Sequence, residues 1–176
     1  MANRPVIFLD FDGVLTAKNY TPGSFLNHAP ERYGASKPCI DRLMRLLRDT
    51  NAAVVVSSNW RRFALRGPGS TWSYDGMGHY PNRLPDLYKT LGDACIGALP
   101  NGRFSKATAL AMWFKRNEPI GFRRVGSKYA ILDDQCRHEG YLNDAEFARH
   151  CVQTNPETGL TDGDCAKARA LLLSAI

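Results

Sequence analysis

Val6-Ile7-Phe8-Leu9-Asp10-Phe11-Asp12-Gly13-Val14 is the stretch whose reading decides the fold. Four apolar residues in a row predict a short buried strand, and two carboxylates follow at its mouth, one residue apart. Residues i and i+2 of a strand share a side, so Asp10 and Asp12 are expected to converge on one point where the extended geometry continues. Like charges so placed repel, and each raises the other's proton affinity. A divalent cation, a shared proton or a bound phosphate environment relieves that conflict. Gly13 permits a sharp turn that a side chain would block. By itself Asp-x-Asp-Gly is also an ordinary acidic turn. The apolar strand before it, and polar residues at other strand ends, give it weight.

The chain has 176 residues, enough for one domain with its own core, and 44% apolar with 23% charged residues is the balance of a soluble globular protein. No apolar stretch approaches the length of a membrane span. Arg4 and Pro5 followed by only four apolar residues do not make a signal peptide. Cys39, Cys95, Cys136, Cys151 and Cys165 are scattered, with no Cys-x-x-Cys pair and no zinc-ligand spacing. Reduced thiols in a cytoplasmic protein follow most simply. The net charge of +6 suits an anionic substrate or partner. The basic residues are dispersed rather than gathered in a tail; the closest groups are Arg61-Arg62 with Arg66 and Arg123-Arg124 with Lys128.

Ile40, Leu43, Met44 and Leu47 mark one face of a helix, with Ser36 and Pro38 suited to its start. Ala53-Val54-Val55-Val56 is a second, β-branched strand. Around residues 66–83, glycines and Pro68 are interleaved with Trp72, Tyr74, His79 and Tyr80, which reads as a long loop insertion, and a short helix is expected near residues 85–91. Ala107, Leu110, Ala111 and Phe114 form another helical stripe, ended by Pro119 and Gly121. Tyr129-Ala130-Ile131-Leu132 is a third strand and His150-Cys151-Val152-Gln153 a fourth. Thr161-x-x-Asp164 has the form of a capping box opening a final helix. Strands separated by helices predict an α/β fold with a mainly parallel sheet, in a single domain over residues 1–176.

Three strands end in polar residues of restricted type. The first leads to Asp10 and Asp12, the second to Ser57, Ser58 and Asn59, the third to Asp133 and Asp134. In an open parallel sheet, ligands bind beyond the carboxyl ends of the strands, and all three sets are expected there. The types suit phosphoryl transfer. A carboxylate can attack phosphorus, magnesium takes a few carboxylate oxygens beside water and phosphate, and a lysine can neutralise remaining charge.

With these motifs in order, the chain resembles the haloacid dehalogenase superfamily of phosphohydrolases. Phe8-Leu9-Asp10-Phe11-Asp12-Gly13-Val14-Leu15 is similar to the first motif, Val54-Val55-Val56-Ser57-Ser58-Asn59 to the second and Ile131-Leu132-Asp133-Asp134 to the fourth. The third is a basic residue at a helix start; Lys106 matches best, with Arg103 and Lys89 as rivals. The resemblance implies a three-layer α/β/α Rossmann-like core. It implies Asp10 as nucleophile and metal ligand, and Asp12 as general acid and then base, its main-chain carbonyl also binding Mg2+. It implies Asp133 as a direct metal ligand and Asp134 as one that supports the direct ligands or reaches the metal through water. Ser57, helped by Ser58, would bind the phosphoryl oxygens, and Lys106 would pair with phosphate and Asp10. Asn59 and Arg61 stand where substrate contacts are expected; Arg61 suits bidentate contact with phosphate.

Ser57-Ser58-Asn59-Trp60-Arg61, Leu132-Asp133-Asp134 and the segment from Val152 to Thr161 are similar to the branch found as a domain in Swiss Army Knife RNA repair proteins. The spacing between motifs leaves room for only a minimal cap, and an open site admits nucleic-acid ends as well as nucleotides. The expected function is a magnesium-dependent phosphatase acting through an aspartyl-phosphate. A phosphotransferase, or a phosphate- or nucleic-acid-binding module without turnover, are the alternatives.

Overall fold

β1 (Val6–Leu9) runs through the middle of a sheet with all four side chains buried. It reads as an unbroken apolar run because helices cover both of its faces. In the computed structural model, which describes residues 4–17, 35–58 and 89–174, β1 pairs in parallel with β2 (Ala53–Val56) on one side and β4 (Tyr129–Asp133) on the other. β3 (Cys95–Ala98) lies beyond β2, and β5 (Cys151–Gln153) beyond β4. The order is β3-β2-β1-β4-β5, parallel throughout. This is a Rossmann-like α/β core. The order turns back between β1 and β4, and ligands bind at the carboxyl ends of strands flanking such a point.

The helices α1 (Lys37–Thr50), α2 (Lys106–Asn117), α3 (Ala145–His150) and α4 (Asp162–Leu173) form the outer layers. α1 and α4 pack on the face that carries Ile7, Leu9, Val54, Val56 and Leu132. α2 and α3 pack on the face of Phe8, Val55, Tyr129 and Ile131. The first interface is aliphatic. The second is aromatic, with the Phe8 ring centroid 5.1 Å from Trp113 and 5.4 Å from Phe114. Such edge-on ring pairs add about 0.5–1.5 kcal/mol each beyond area burial.

Local signals place the helix ends. Ser36 is the N-cap residue of α1, with Pro38 in the first turn and a left-handed Asn51 after the last. Ser105 caps α2 by accepting from the Thr108 N–H. At α4 both bonds of the Thr161–Asp164 capping box are present.

Two elements differ from the sequence reading. β3 was not anticipated: it is a half-exposed edge strand of four residues containing Gly97, so its apolar signal is weak. His150 closes α3 rather than opening the last strand, because a six-residue helix that buries only Phe147 shows no stripe. Residues 89–91 are helical, within the expected short helix. The rest of that helix and the insertion around 66–83 lie outside the described residues. No helix among the described residues is long and apolar enough to cross a membrane.

Candidate active site

At the end of β1 the chain stays beside β4 for one more residue, since the Asp10 N–H donates to the Leu132 carbonyl at 2.9 Å. Asp10 is 4% exposed, and its Oδ1 accepts from the Phe11 N–H at 2.8 Å. Then the strand geometry stops. The Phe11 carbonyl accepts from the N–H groups of Val14, Leu15 and Thr16, and Gly13 turns through φ +66°. The extended geometry on which the convergence of Asp10 and Asp12 depended does not continue: Asp10 is buried and Asp12, in the turn, is exposed. Gly13 is required twice over, because a Cβ there would stand 2.4 Å from Asp134 Cγ. The turn is braced from behind, where Thr154 Oγ1 donates to the Gly13 carbonyl at 2.7 Å and the Leu160 N–H donates to the Val14 carbonyl at 2.8 Å.

Asp10, Asp133 and Asp134 come together, with one carboxylate oxygen from each lying within 4.8 Å of the others. Lys106, the first residue of α2, is brought to the same point. Its Nζ donates to Asp10 Oδ2 at 2.6 Å and to Asp133 Oδ2 at 2.8 Å, and the lysine is only 3% exposed. Glu139 Oε1 stands 3.8 Å from the same ammonium. Arg103 and Lys89, the rival basic residues, are exposed. Ser57 and Ser58 are buried just past β2, and the Ser57 N–H donates to the Leu9 carbonyl at 2.8 Å, beside Asp10 in the sheet. Asn59 and Arg61 lie outside the described residues. Glu139 is the residue the sequence reading missed. It sits in a turn without periodicity, and its only sequence signal is an acidic side chain shortly after Asp133-Asp134.

Three carboxylates, those of Asp10, Asp133 and Glu139, thus surround one ammonium, and Asp134 stands beside the first two. Burial, and next the charge of Asp10, push the Asp133 carboxyl up to about 6. Asp134 is raised by the same two causes in the same order. For Lys106 burial opposes the charged form, yet Asp10 and Asp133 outweigh it and hold the ammonium at about 12. The ammonium is permanent at neutral pH, and the surplus negative charge calls for a further cation. The donor set fits one. Three hard carboxylate donors are the ligand type that magnesium takes, and Asp134 Oδ1 is buried without a hydrogen-bond partner among the described residues. A buried acceptor left unpaired costs about 1–3 kcal/mol.

Residues 6–165 match the profile of a family described as the HAD domain in Swiss Army Knife RNA repair proteins. Comparisons with curated proteins and with solved structures returned no match.

Proposed function

We propose a phosphomonoesterase activity for this chain, which belongs to the family of HAD domains in Swiss Army Knife RNA repair proteins. The family supports a phosphohydrolase of the haloacid dehalogenase type. The observation that carries the reading further is the buried Asp10 carboxylate at the end of the central strand, paired at 2.6 Å with Lys106 and grouped with Asp133 and Asp134.

In this reading the Asp10 carboxylate attacks phosphorus, the bond from phosphorus to the ester oxygen breaks, and an aspartyl-phosphate forms. Asp12, exposed on the turn just beyond, gives its proton to the departing oxygen. It then takes a proton from the water that attacks the aspartyl-phosphate, which frees inorganic phosphate and restores Asp10. Ser57 and Ser58 hold the phosphoryl oxygens, and Lys106 offsets their charge. Asn59 and Arg61 contact the substrate beyond the phosphate. Mg2+ would be held by the carboxylates of Asp10, Asp133 and Asp134 with the main-chain carbonyl of Asp12, and when bound it supplies charge neutralisation at the phosphoryl group.

The substrate class is a phosphorylated nucleic-acid end or a nucleotide, acted on in the cytoplasm. The net charge of +6 and the short spacing between motifs support this choice. Release of phosphate from an aryl phosphate, from nucleotides and from 3′- and 5′-phosphorylated oligonucleotides, with and without Mg2+, tests it. Mg2+-dependent release that Asp10→Asn abolishes is expected. No release from any of these esters overturns the reading.

A further inference from the structure

We propose that Glu139 is a positioning residue for Lys106, holding the lysine by its main chain and by its charge at once. This rests on the reading of Lys106 as the group that offsets phosphoryl charge. Glu139 Oε2 accepts from the Lys106 N–H at 3.3 Å, and the Glu139 carbonyl accepts from the Ala107 N–H at 3.2 Å. These are two of the N–H groups that the first turn of a helix leaves without intrahelical partners. Ser105 serves the Thr108 N–H, so α2 is seated at its start by Ser105 and Glu139 together. The other carboxylate oxygen, Oε1, stands 3.8 Å from the Lys106 ammonium. That ammonium has three N–H donors. Two reach Asp10 and Asp133, and the charge of Glu139 draws the group from a third direction.

The position of Glu139 is itself tied to the carboxylate cluster. The Gln135 N–H donates to Asp133 Oδ1 at 2.8 Å, and the Glu139 N–H donates to the Gln135 carbonyl at 2.9 Å. A single turn after β4 thus joins Asp133 to the residue that seats the lysine. The Glu139 side chain is 15% exposed, so its charge acts through little water. Without that charge the ammonium is drawn by Asp10 and Asp133 alone.

Glu139→Gln separates the two parts of the role, because the amide oxygen still accepts from the Lys106 N–H while the charge is gone. The test begins on the full chain without added metal, by 15N–1H spectra of lysine ammonium groups, with Lys106→Met identifying the Lys106 signal. A protected Lys106 signal is expected in the parent protein. In Glu139→Gln it shifts and exchanges with water faster, and the turnover number for aryl phosphate falls about 10- to 100-fold, the usual range for a residue supporting a site group. In the Lys106→Met background Glu139→Gln has no further effect on turnover. An undetectable Lys106 signal in the parent, an unchanged one in Glu139→Gln, or an equal loss in the Lys106→Met background overturns the proposal. If Glu139→Gln melts early, Glu139→Asp keeps the charge at shorter reach, and an intermediate shift of the Lys106 signal is expected; no shift overturns the proposal. A shifted signal in a protein that releases no phosphate leaves the positioning role standing and removes the phosphatase reading. Phosphate release with an unmoved signal does the reverse.

Discussion

Lys106 meets Asp10 and Asp133 at 2.6 and 2.8 Å with all three side chains nearly out of water. On the outside of the molecule, Arg42 and Arg45 meet one carboxylate, Asp162, at 3.1 and 3.0 Å, and Asp162 is 67% exposed. The distances are alike and the settings are opposite. The surface group has two cations to one anion and links α1 to α4 at little desolvation expense; such pairs contribute about 0–1 kcal/mol. The buried group has one cation among three carboxylates, with Asp134 beside two of them, and burying ions costs several kcal/mol each before their attraction repays it. Stability does not explain the buried group. The proposed uptake of a cation and a phosphoryl group would.

The sharpest break of this comparison is Asp10→Asn. Removing the proposed nucleophile is expected to lower phosphate release by about three orders of magnitude or more. It also removes a charge that pushes on Asp133 and Asp134, so the melting temperature of the metal-free protein holds. A melting temperature that collapses with activity would make the cluster a structural one.

Lys106→Met comes next. Phosphate release falls about 10²–10³-fold, the range seen when a donor to developing charge is lost. Unlike Asp10→Asn, it leaves buried carboxylates without their cation and destabilises the metal-free protein by about 3–5 kcal/mol in denaturant unfolding.

Acidity sharpens the contrast further. Cation binding needs Asp133 ionised, and its carboxyl sits at about 6 in the metal-free protein. Mg2+ affinity by calorimetry is expected to fall as pH drops through that value, by about tenfold per unit below it. The sign for stability is the opposite. The folded protein binds this proton more tightly than the unfolded chain, whose carboxyl titrates near 3.8. Asp133 therefore adds stability to the metal-free protein as pH falls from above about 6 toward that value. A rising melting temperature over that interval, abolished in Asp133→Asn, checks it.

The smallest effect belongs to the surface. Asp162→Ala is expected to change unfolding stability by less than about 1 kcal/mol, by an amount that shrinks in high salt, with phosphate release unaltered.

Much of the molecule was readable before folding was known, and the exceptions have physical reasons. β1, β2 and β4 are continuous apolar runs because both their faces are covered, and their polar ends mark the ligand-binding edge of the sheet. Lys106 was legible because it stands just ahead of the apolar stripe that begins at Ala107. β3 escaped because an edge strand with Gly97 carries little apolar pattern. The strand ends sooner than the alternation of Asp10 and Asp12 required, because the turn begins at Asp12. Glu139 escaped because its nearness to Lys106 spans a sequence separation of 33 residues and is created by packing of the turn after β4 against α2.

During synthesis Asp10 emerges 96 residues before Lys106 and still longer before Asp133. β1 then waits with one edge unpaired until β4 exists, and sheets closed over such separations form slowly. The central strand belongs to the earliest part of the described chain, and the last piece of the carboxylate cluster arrives with its fourth strand. Assembly of the carboxylate cluster is consequently a late event in folding. No fragment ending short of β4 carries the assembled cluster, and a half-made chain presents an apolar strand edge without it, which puts the burden of early protection on whatever shields nascent strands from pairing with one another.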